Sequence, residues 1–471
     1  MTPEQREKER SVAALVAPDI LDLLRSAPSA VAAETEELHP ADLADVAELL
    51  PQELIAPLLA ALPAGRAASV MEYLDEELRT EVLEAMDAEQ AAVLLARMTP
   101  DERTDALEEL DEATADEILE ELPEPARRET ERLLEYAPDT AGGLMTTEFV
   151  SVEETATVEA ALSAVRGIAR AGRREAMGTI YTVDARGVVT GVLSLRELLA
   201  APEGTRLVDV AWTEVVAVPA TADREEVAQL TSNYDLTAVP VVDADRRLLG
   251  VVTVDDVIDV IQEEQTEDVQ KLGGMEALEE PYMQSGFFTL LRKRAGWLTV
   301  LFVGEMFTAA AMARYQAELD SAIILALFIP LIISSGGNSG SQATSLILRA
   351  LALKEVELRD WWRVAARELP SGLALGAILG VVGVIRVMSW HALGLQDFGG
   401  HPGLVATTVG ISLVGVVTFG TLVGSMLPFL LRRFGFDPAS ASAPLVATLV
   451  DVTGLVIYFS VALVILRGTL L

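Results

Sequence analysis

The chain has 471 residues, of which 51% are hydrophobic and none is cysteine, and its formal net charge is −37. The absence of cysteine excludes disulfides and thiolate metal sites, and three histidines are too few for a histidine-rich transition-metal site. A bound metal should therefore be a hard cation that prefers oxygen ligands. The negative net charge also disfavours nucleic acid as a partner.

The charge is unevenly distributed along the chain. The first 282 residues contain 62 acidic and 22 basic residues, whereas the remaining 189 contain 10 and 13. An acidic half joined to an apolar half is typical of a membrane protein with a large aqueous domain. The first ten residues, MTPEQREKER, lack an apolar core, so we expect no cleavable signal peptide.

A leucine or methionine recurs every twelve residues from Leu38 to Leu134. Most of them are followed directly by proline or aspartate, which are residue types that begin helices. Short helices that each return one apolar residue to a common seam should stack as a right-handed superhelix of helical hairpins. We therefore predict an acidic α-superhelix over residues 1–138. Most of its carboxylates are expected to lie on an ordinary solvent-exposed face.

Residues 139–264 alternate between strand-like and helical patterns. A β-α-β-β-α unit occurs twice, and these units look like paired CBS domains. The second unit ends in Gly250, Thr253 and Asp256, with the spacing of the turn by which that family contacts ribose. ATP or another adenosine nucleotide is therefore a candidate ligand, and the alternative is a CBS pair that binds no nucleotide.

Residues 265–288 form an acidic connection between the CBS pair and the first apolar stretch. Glu264, Glu267 and Asp268 share one face of the helix predicted here, because they are spaced at i, i+3 and i+4. Like charges at this spacing repel each other unless a cation lies on them. The segment is therefore a connecting helix with candidate cation sites.

The region 289–471 contains five apolar segments that are long enough to cross a bilayer. They are predicted at residues 295–315, 321–350, 370–390, 404–430 and 441–466. Clusters of Lys and Arg between them place the N-terminus in the cytoplasm and the C-terminus outside the cytoplasmic membrane. Residues 355–368, which include Trp361 and Trp362, read as a separate amphipathic helix at the inner interface.

Two of the predicted spans carry unusual polar residues. In the second span, Pro330, Gly336, Asn338 and Gln342 are expected to interrupt the helix, which is tolerated only inside protein or beside water. Packing of small residues is the alternative for the glycines. In the fifth span, Asp451 lies near the middle, where a charge costs roughly 2.5–3.5 kcal/mol. It is either part of a cation path or a buried carboxylate that is hydrogen-bonded between helices.

The order of these parts resembles the MgtE magnesium channels, and the predicted fold class is a multidomain α and α/β membrane protein. The motifs GGNSGSQ in the second span and PLVATLVDVTGL in the fifth carry the resemblance most strongly. It implies a homodimer in the lipid bilayer whose second and fifth spans line a pore for Mg²⁺. By the same resemblance, Asp451 and the carbonyl group of Ala447 hold hydrated Mg²⁺.

The resemblance also implies a cytosolic Mg²⁺ sensor, in which bound ions close the pore. Its carboxylates are spread over the superhelix, the CBS pair, the connecting "plug" helix and the loop before the fifth span. By motif, they are Asp101 and Asp105, then Asp223, Glu225, Asp235, Asp256 and Asp259, then Glu264, Glu267 and Asp268, and finally Asp437.

The preferred interpretation is a Mg²⁺-selective channel that cytosolic Mg²⁺ closes. A divalent-cation secondary transporter coupled to H⁺ or Na⁺ is the alternative, in which Asp451 and Glu305 would relay a proton. A CBS-gated anion channel is disfavoured, because the second and fifth spans contain no cationic residue away from their ends. An enzyme is excluded, since no serine–histidine pair, P-loop or zinc-binding spacing is present.

Overall fold

The computed structural model describes residues 3–170, 178–278, 282–283, 285–398 and 400–470. The chain forms two compact units, residues 1–262 and 263–471. Within the predicted connecting segment, residues 279–281 and 284 lie outside the described residues.

The first unit begins with a series of short helices. They are α1 (Pro3–Ser26), α2 (Val31–Glu34), α3 (Pro40–Leu49), α4 (Ile55–Ala61), α5 (Ala64–Glu72), α6 (Glu76–Ala85), α7 (Ala88–Leu95), α8 (Pro100–Glu108), α9 (Glu112–Glu121) and α10 (Glu124–Leu133). From α3 onward they follow the twelve-residue period of the sequence. The aspartates act as N-caps: Asp87 accepts a hydrogen bond from the Gln90 N–H group at 3.0 Å, and each such cap is worth about 1 kcal/mol.

These helices alternate between two layers, because each contacts the helix two places further along the chain. Most residues of the twelve-residue repeat are buried in the core between the layers. The buried ones are Leu50, Leu62, Leu74, Met98, Leu110 and Leu122. Burying one such side chain contributes about 1.5–3 kcal/mol, so the repeated apolar residue accounts for the stacking.

The rest of the first unit contains two β-α-β-β-α units, as predicted. The first consists of β1 (Val150–Glu153), α11 (Val158–Arg170), β2 (Thr179–Val183), β3 (Val189–Ser194) and α12 (Leu195–Ala200). The second consists of β4 (Val218–Pro219), α13 (Arg224–Tyr234), β5 (Ala238–Val242), β6 (Leu248–Thr253) and α14 (Val254–Leu272). In each three-stranded sheet the first two strands are parallel and the last two are antiparallel.

Gly250 on β6 is required by a close approach of the backbone. A Cβ atom at this position would lie 2.7 Å from the carbonyl oxygen of Thr146, which precedes the first sheet. Thr146 and Val251 exchange backbone hydrogen bonds of 2.9 and 3.0 Å. The glycine therefore lets the segment before β1 join the edge of the second sheet.

The second unit contains the last turns of α14 and six further helices in its described part. They are α15 (Phe287–Arg314), α16 (Gln316–Ser321), α17 (Ile329–Ala352), α18 (Trp361–Ala392), α19 (Pro402–Arg433) and α20 (Ala443–Leu466). Five helical segments in the described residues are long and apolar enough to cross a membrane, and the second of them includes the 3₁₀ turns before α17.

The predicted interruption of the second span was wrong, because α17 is one continuous helix through its glycine-rich motif. The glycines instead allow α17 and α19 to pack closely. A Cβ atom on Gly420 or Gly424 would collide with the carbonyl group of Gly336 or Gly340. Packing of small residues between helices, the alternative given above, is therefore what the structure contains at these positions.

The separate amphipathic helix at residues 355–368 was also a wrong prediction. Leu358–Asp360 form a 3₁₀ turn, and α18 begins at Trp361 and continues without a break into the third span. With 32 residues, α18 is longer than the roughly 20 that a bilayer core requires, so its first turns extend beyond the core. The amphipathic pattern therefore belongs to the end of a span.

Candidate cation sites

Asp451 lines a cavity of about 470 Å³ in the second unit. Oxygen-bearing side chains from three helices share this cavity: Thr308 on α15, Asn338 and Ser341 on α17, and Asp451 on α20. Ala447 lies one turn before Asp451 and lines the same cavity. The site therefore combines one carboxylate with neutral oxygen groups, which are the ligand types that hard divalent cations prefer.

The packing of α20 explains why Asp451 faces this cavity. Val446 and Val450 are fully buried, whereas Asp451 is half-buried on another face of α20. Gly337 of α17 lies opposite Ala447, and a Cβ atom on that glycine would be 3.6 Å from the Ala447 Cα atom. The small residues at this crossing therefore bring the amide side chain of Asn338 into the cavity that Asp451 lines.

A second candidate site lies in the first unit, where Asp101 and Asp105 on α8 approach Asp256 on α14. Asp101 is 5% exposed, and its Oδ1 atom is buried without a hydrogen-bond partner. Burial, followed by the charge of Asp101, raises the pKa of both Asp105 and Asp256 to about 8. Burial also raises the pKa of Asp101. A bound cation would lower all three pKa values and satisfy the unpaired oxygen.

The neighbouring arginine does not neutralise these aspartates directly. Arg79 is buried and forms ion pairs with Glu109 and with Glu102, the latter at 3.2 Å between Nη1 and Oε2. No ion pair in the described part of the chain includes Asp101, Asp105 or Asp256. The three aspartates therefore form no ion pair within the described residues, although the charge of Arg79 acts on Asp105 from a distance and lowers its pKa.

A third candidate site surrounds Lys271 near the end of α14. Its Nζ atom lies 2.5 Å from Oδ2 of Asp437 and also pairs with Glu267. Burial lowers the pKa of Lys271, but the hydrogen bonds and charges of Asp437 and Glu267 outweigh burial and raise it. Burial, followed by the charges of Asp437 and Glu264, raises the pKa of Asp268.

Lys271 was missed in the sequence analysis, although a signal for it was present. The acidic face of the connecting helix was expected to need a cation, and Glu267 and Lys271 are spaced at i, i+4, a common spacing for helical ion pairs. The contact with Asp437 had no such signal, because Asp437 lies far along the sequence.

The other predicted sensor residues lie at the ends of α13 or on the exposed side of α14. Asp223 caps α13 by accepting a hydrogen bond from the Glu225 N–H group at 2.8 Å, and both side chains are exposed. Asp235 ends the same helix with a positive φ of 51°. Asp259 is also exposed. Among the described residues, no three His, Asp or Glu side chains are grouped closely enough to hold a metal ion by themselves.

The predicted nucleotide-contacting residues bond to each other. The Thr253 hydroxyl group donates a hydrogen bond to Oδ2 of Asp256 at 2.6 Å, and the Thr253 N–H group approaches the same oxygen at 3.3 Å. Asp256 also belongs to the acidic cluster with Asp101. Asp256 therefore belongs both to the predicted metal site and to the predicted nucleotide site.

Three family models match the sequence. Residues 38–139 match the MgtE intracellular N domain, and residues 141–204 and 207–263 match the CBS domain. Residues 329–461 match the MgtE model, described as a divalent cation transporter.

Whole-sequence relatives agree with these matches. The magnesium transporter MgtE of Thermus thermophilus is 45% identical over 342 residues, which are 73% of each chain. That of Enterococcus faecalis is 37% identical over 340 residues, which are 72% of each chain. A crystal structure of the cytosolic domain of the Mg²⁺ channel MgtE in complex with ATP is 40% identical and covers 48% of this chain and 91% of that chain, with a TM-score of 0.45.

The family models and relatives confirm the predicted resemblance and, with the five apolar helices, the predicted fold class. They also confirm that the chain is not an enzyme, because the matching family consists of transporters. The chain belongs to the MgtE family of magnesium transporters.

Proposed function

We propose that this protein is a Mg²⁺-selective channel of the cytoplasmic membrane, that it acts as a homodimer, and that cytosolic Mg²⁺ closes it. The observation that carries the proposal is the cavity in which Asp451 meets the side chains of Asn338 and Ser341 beside Ala447. In this proposal the N-terminus is cytoplasmic and the C-terminus is outside, as the positions of the basic clusters indicate.

Magnesium suits this site better than a cation that sheds its water easily. Mg²⁺ dehydrates reluctantly and is commonly held through its waters by one or two carboxylates. One Asp451 from each subunit of a dimer would supply two carboxylates, and the neutral oxygen groups would bind the hydration shell. The lack of a three-carboxylate group among the described residues is consistent with binding through water.

The experiment that tests the pore is the substitution Asp451→Asn in the full-length protein in liposomes. We expect Mg²⁺ flux to fall at least about tenfold, because the fixed charge is lost while helix length and packing stay unchanged. Asp397→Asn, at an exposed carboxylate between α18 and α19, is the matched control. Unchanged Mg²⁺ selectivity in a folded Asp451→Asn protein would contradict the assignment.

The secondary transporter is the second candidate, since Asp451 lies close to another intramembrane carboxylate, Glu305. A channel gives single-channel current steps that do not depend on a proton or sodium gradient. A transporter gives Mg²⁺ flux that follows such a gradient and shows no unitary steps. Recording single-channel currents and gradient-dependent Mg²⁺ flux in one preparation distinguishes the two mechanisms.

The proposal for closure rests on the two acidic clusters outside the membrane. Asp101, Asp105 and Asp256 have raised pKa values and lack an ion pair within the described residues, so a divalent cation would stabilise their charged forms. In the Lys271 cluster, burial, followed by the charges of Asp437 and Glu264, raises the pKa of Asp268. Mg²⁺ can shift the channel toward closure only by its higher affinity for the closed state.

We also propose that the second CBS domain binds an adenosine nucleotide through Thr253 and Asp256. The hydroxyl group of Thr253 and the carboxylate of Asp256 lie together at the start of α14, where two hydroxyl groups of a ribose could replace their mutual hydrogen bond. Calorimetry of the full-length protein should detect heat on addition of ATP, and Thr253→Val should abolish it. No heat with wild-type protein at millimolar ATP would support a CBS pair without nucleotide.

A further inference from the structure

The first membrane helix, α15, carries one carboxylate away from its ends, Glu305. Large apolar residues on the same helix, including Met306 and Phe307, are exposed and therefore suited to contact lipid. Glu305 is half-buried and lines a cavity together with residues of α20. A charged group at this depth requires a partner or water, and no ion pair within the described residues includes Glu305.

The acidic neighbour of Glu305 on α20 is Asp451. The two carboxylates lie close enough for their charges to interact. The approach is made possible by Gly304, where a Cβ atom would lie 2.6 Å from Cγ2 of the buried Thr448 on α20. Because residue 304 has no side chain, α15 lies close enough to α20 for two acidic groups to meet.

Glu305 also lines a cavity that shares a wall residue with the cavity of Asp451. It lines a cavity of about 710 Å³ together with Pro444, Ala447 and Thr448. Ala447 lines this cavity and the one that contains Asp451. Ala447, on the turn of α20 that precedes Asp451, therefore borders both cavities.

A second observation on α15 concerns the cavity of Asp451 itself. Thr308 lies one turn after Glu305 and on the same face, since the two residues are three positions apart. Its hydroxyl oxygen is buried without a hydrogen-bond partner and lines the cavity of Asp451. A buried, unpaired hydroxyl group in a polar cavity normally bonds to water or to a ligand.

We propose that Glu305 is a specificity-determining residue of the cation path, which places a second carboxylate beside Asp451 and so favours hydrated divalent over monovalent cations. Two neighbouring carboxylates repel each other, and a divalent ion relieves this repulsion more strongly than a monovalent ion does. The family model covers residues 329–461 and does not include α15. The inference rests on the proposed function in that Asp451 lines the conducting path.

The first test compares Glu305→Gln, Glu305→Asp and Glu355→Gln in the full-length channel in lipid bilayers. Glu355 is an exposed carboxylate after α17 and serves as the matched control. We expect Glu305→Gln to lower the ratio of Mg²⁺ to Na⁺ permeability about tenfold, Glu305→Asp to retain most of it, and the control to leave it unchanged. A wild-type ratio in a folded Glu305→Gln protein would overturn the inference.

The Asp451→Asn variant separates failure of this inference from failure of the proposed function. If Asp451→Asn removes selectivity and Glu305→Gln does not, the pore assignment stands and Glu305 is only a structural residue. If Asp451→Asn has no effect, the pore assignment itself is wrong. The two results therefore cannot be confused.

A second test remains decisive if Glu305→Gln does not fold. The chain contains no cysteine, so Glu305→Cys introduces a unique thiol. A negatively charged methanethiosulfonate reagent should raise the ratio of Mg²⁺ to Na⁺ permeability, and a positively charged one should lower it. Millimolar Mg²⁺ should slow both modifications. Equal effects of the two reagents, or no reaction at residue 305, would overturn the inference.

Discussion

Asp101 is a buried carboxylate outside the membrane, and its Oδ1 atom has no hydrogen-bond partner. Burial, followed by the charge of Asp101, raises the pKa of Asp105 and Asp256 to about 8. At an effective dielectric constant near 20, two carboxylates about 6 Å apart repel by roughly 3 kcal/mol. The folded protein without a cation therefore bears an electrostatic cost at this cluster.

This cost predicts a dependence of stability on pH. Asp105 and Asp256 have pKa values of about 8 in the folded protein, compared with about 4 when unfolded. The unfolded chain ionises first, so these groups reduce the free energy of unfolding progressively between about pH 4 and pH 8, and fully above pH 8. Bound Mg²⁺ should flatten this dependence by stabilising the charged forms.

The measurement is the melting temperature of the full-length protein between pH 5 and pH 9, with and without Mg²⁺. Without Mg²⁺, Asp101→Asn should melt higher than wild type at pH 8, because one repelling charge is gone. With Mg²⁺ the order should reverse, and about 1 kcal/mol corresponds to a change of roughly 2–4 °C. Glu117→Gln, at an exposed position on α9, should change neither result. The same order in both buffers would contradict a cation site at Asp101.

The crossing of α17 and α19 shows how glycine positions decide the packing of whole helices. A Cβ atom on Gly424 would collide with the carbonyl group of Gly340. At the same crossing, the Thr344 hydroxyl group donates a hydrogen bond to the Gly424 carbonyl oxygen at 2.8 Å. Close backbone approach and interhelical hydrogen bonds replace the hydrophobic effect, which does not act between helices in lipid.

This packing predicts opposite results for two substitutions on one helix. Gly424→Ala should destabilise the membrane unit by about 1–3 kcal/mol, because the added methyl group forces the helices apart. Gly403→Ala, where a Cβ atom would have no neighbour within 4 Å, should be neutral or slightly stabilising. Thermal unfolding in detergent, followed by size-exclusion chromatography, compares the two. Equal melting temperatures would show that α17 and α19 tolerate a wider separation.

At the scale of the whole molecule, the uneven charge is the dominant feature. The first 282 residues carry 62 acidic and 22 basic residues, so the aqueous part repels itself at low ionic strength. Divalent cations that bind several carboxylates at once would favour compact arrangements. The acidic face of α14, with Glu264, Glu267 and Asp268, is where we expect this response to act on the connection to the membrane.

The corresponding prediction concerns the segment 262–282. Millimolar Mg²⁺ should protect it from protease, and neutralising Glu264, Glu267 and Asp268 together should weaken inhibition of the current by Mg²⁺. The opposite outcome is a triple variant that stays closed without Mg²⁺. It would mean that neutral side chains have the same effect as bound metal, because both remove the repulsion between the carboxylates. If the substitutions leave the current unchanged and Mg²⁺ leaves the protease sensitivity unchanged, this helix only connects the two parts of the chain and has no role in closure.

Local sequence pattern was sufficient to predict the repeated helices and the membrane spans of this protein. The twelve-residue repeat predicted the stacked helices, because the spacing of apolar residues indicates which face of each helix is buried. The length of the apolar segments predicted the five spans. The motif around Asp451 identified the carboxylate that lines the membrane cavity. Local pattern misled at the glycine-rich motif of α17, where it predicted an interruption and the structure has a continuous helix.

The contacts between polar groups of different elements could not be predicted from the sequence and are known from the folded chain. Asp101 lies near Asp256, Lys271 binds Asp437, and Glu305 reaches Asp451, although the members of each pair are far apart in the sequence. Periodicity identifies the face on which a residue lies, but not the face of another element that will lie opposite. That choice depends on close packing of complete helices, where a single missing Cβ atom at Gly304 or Gly424 sets how near two backbones can come.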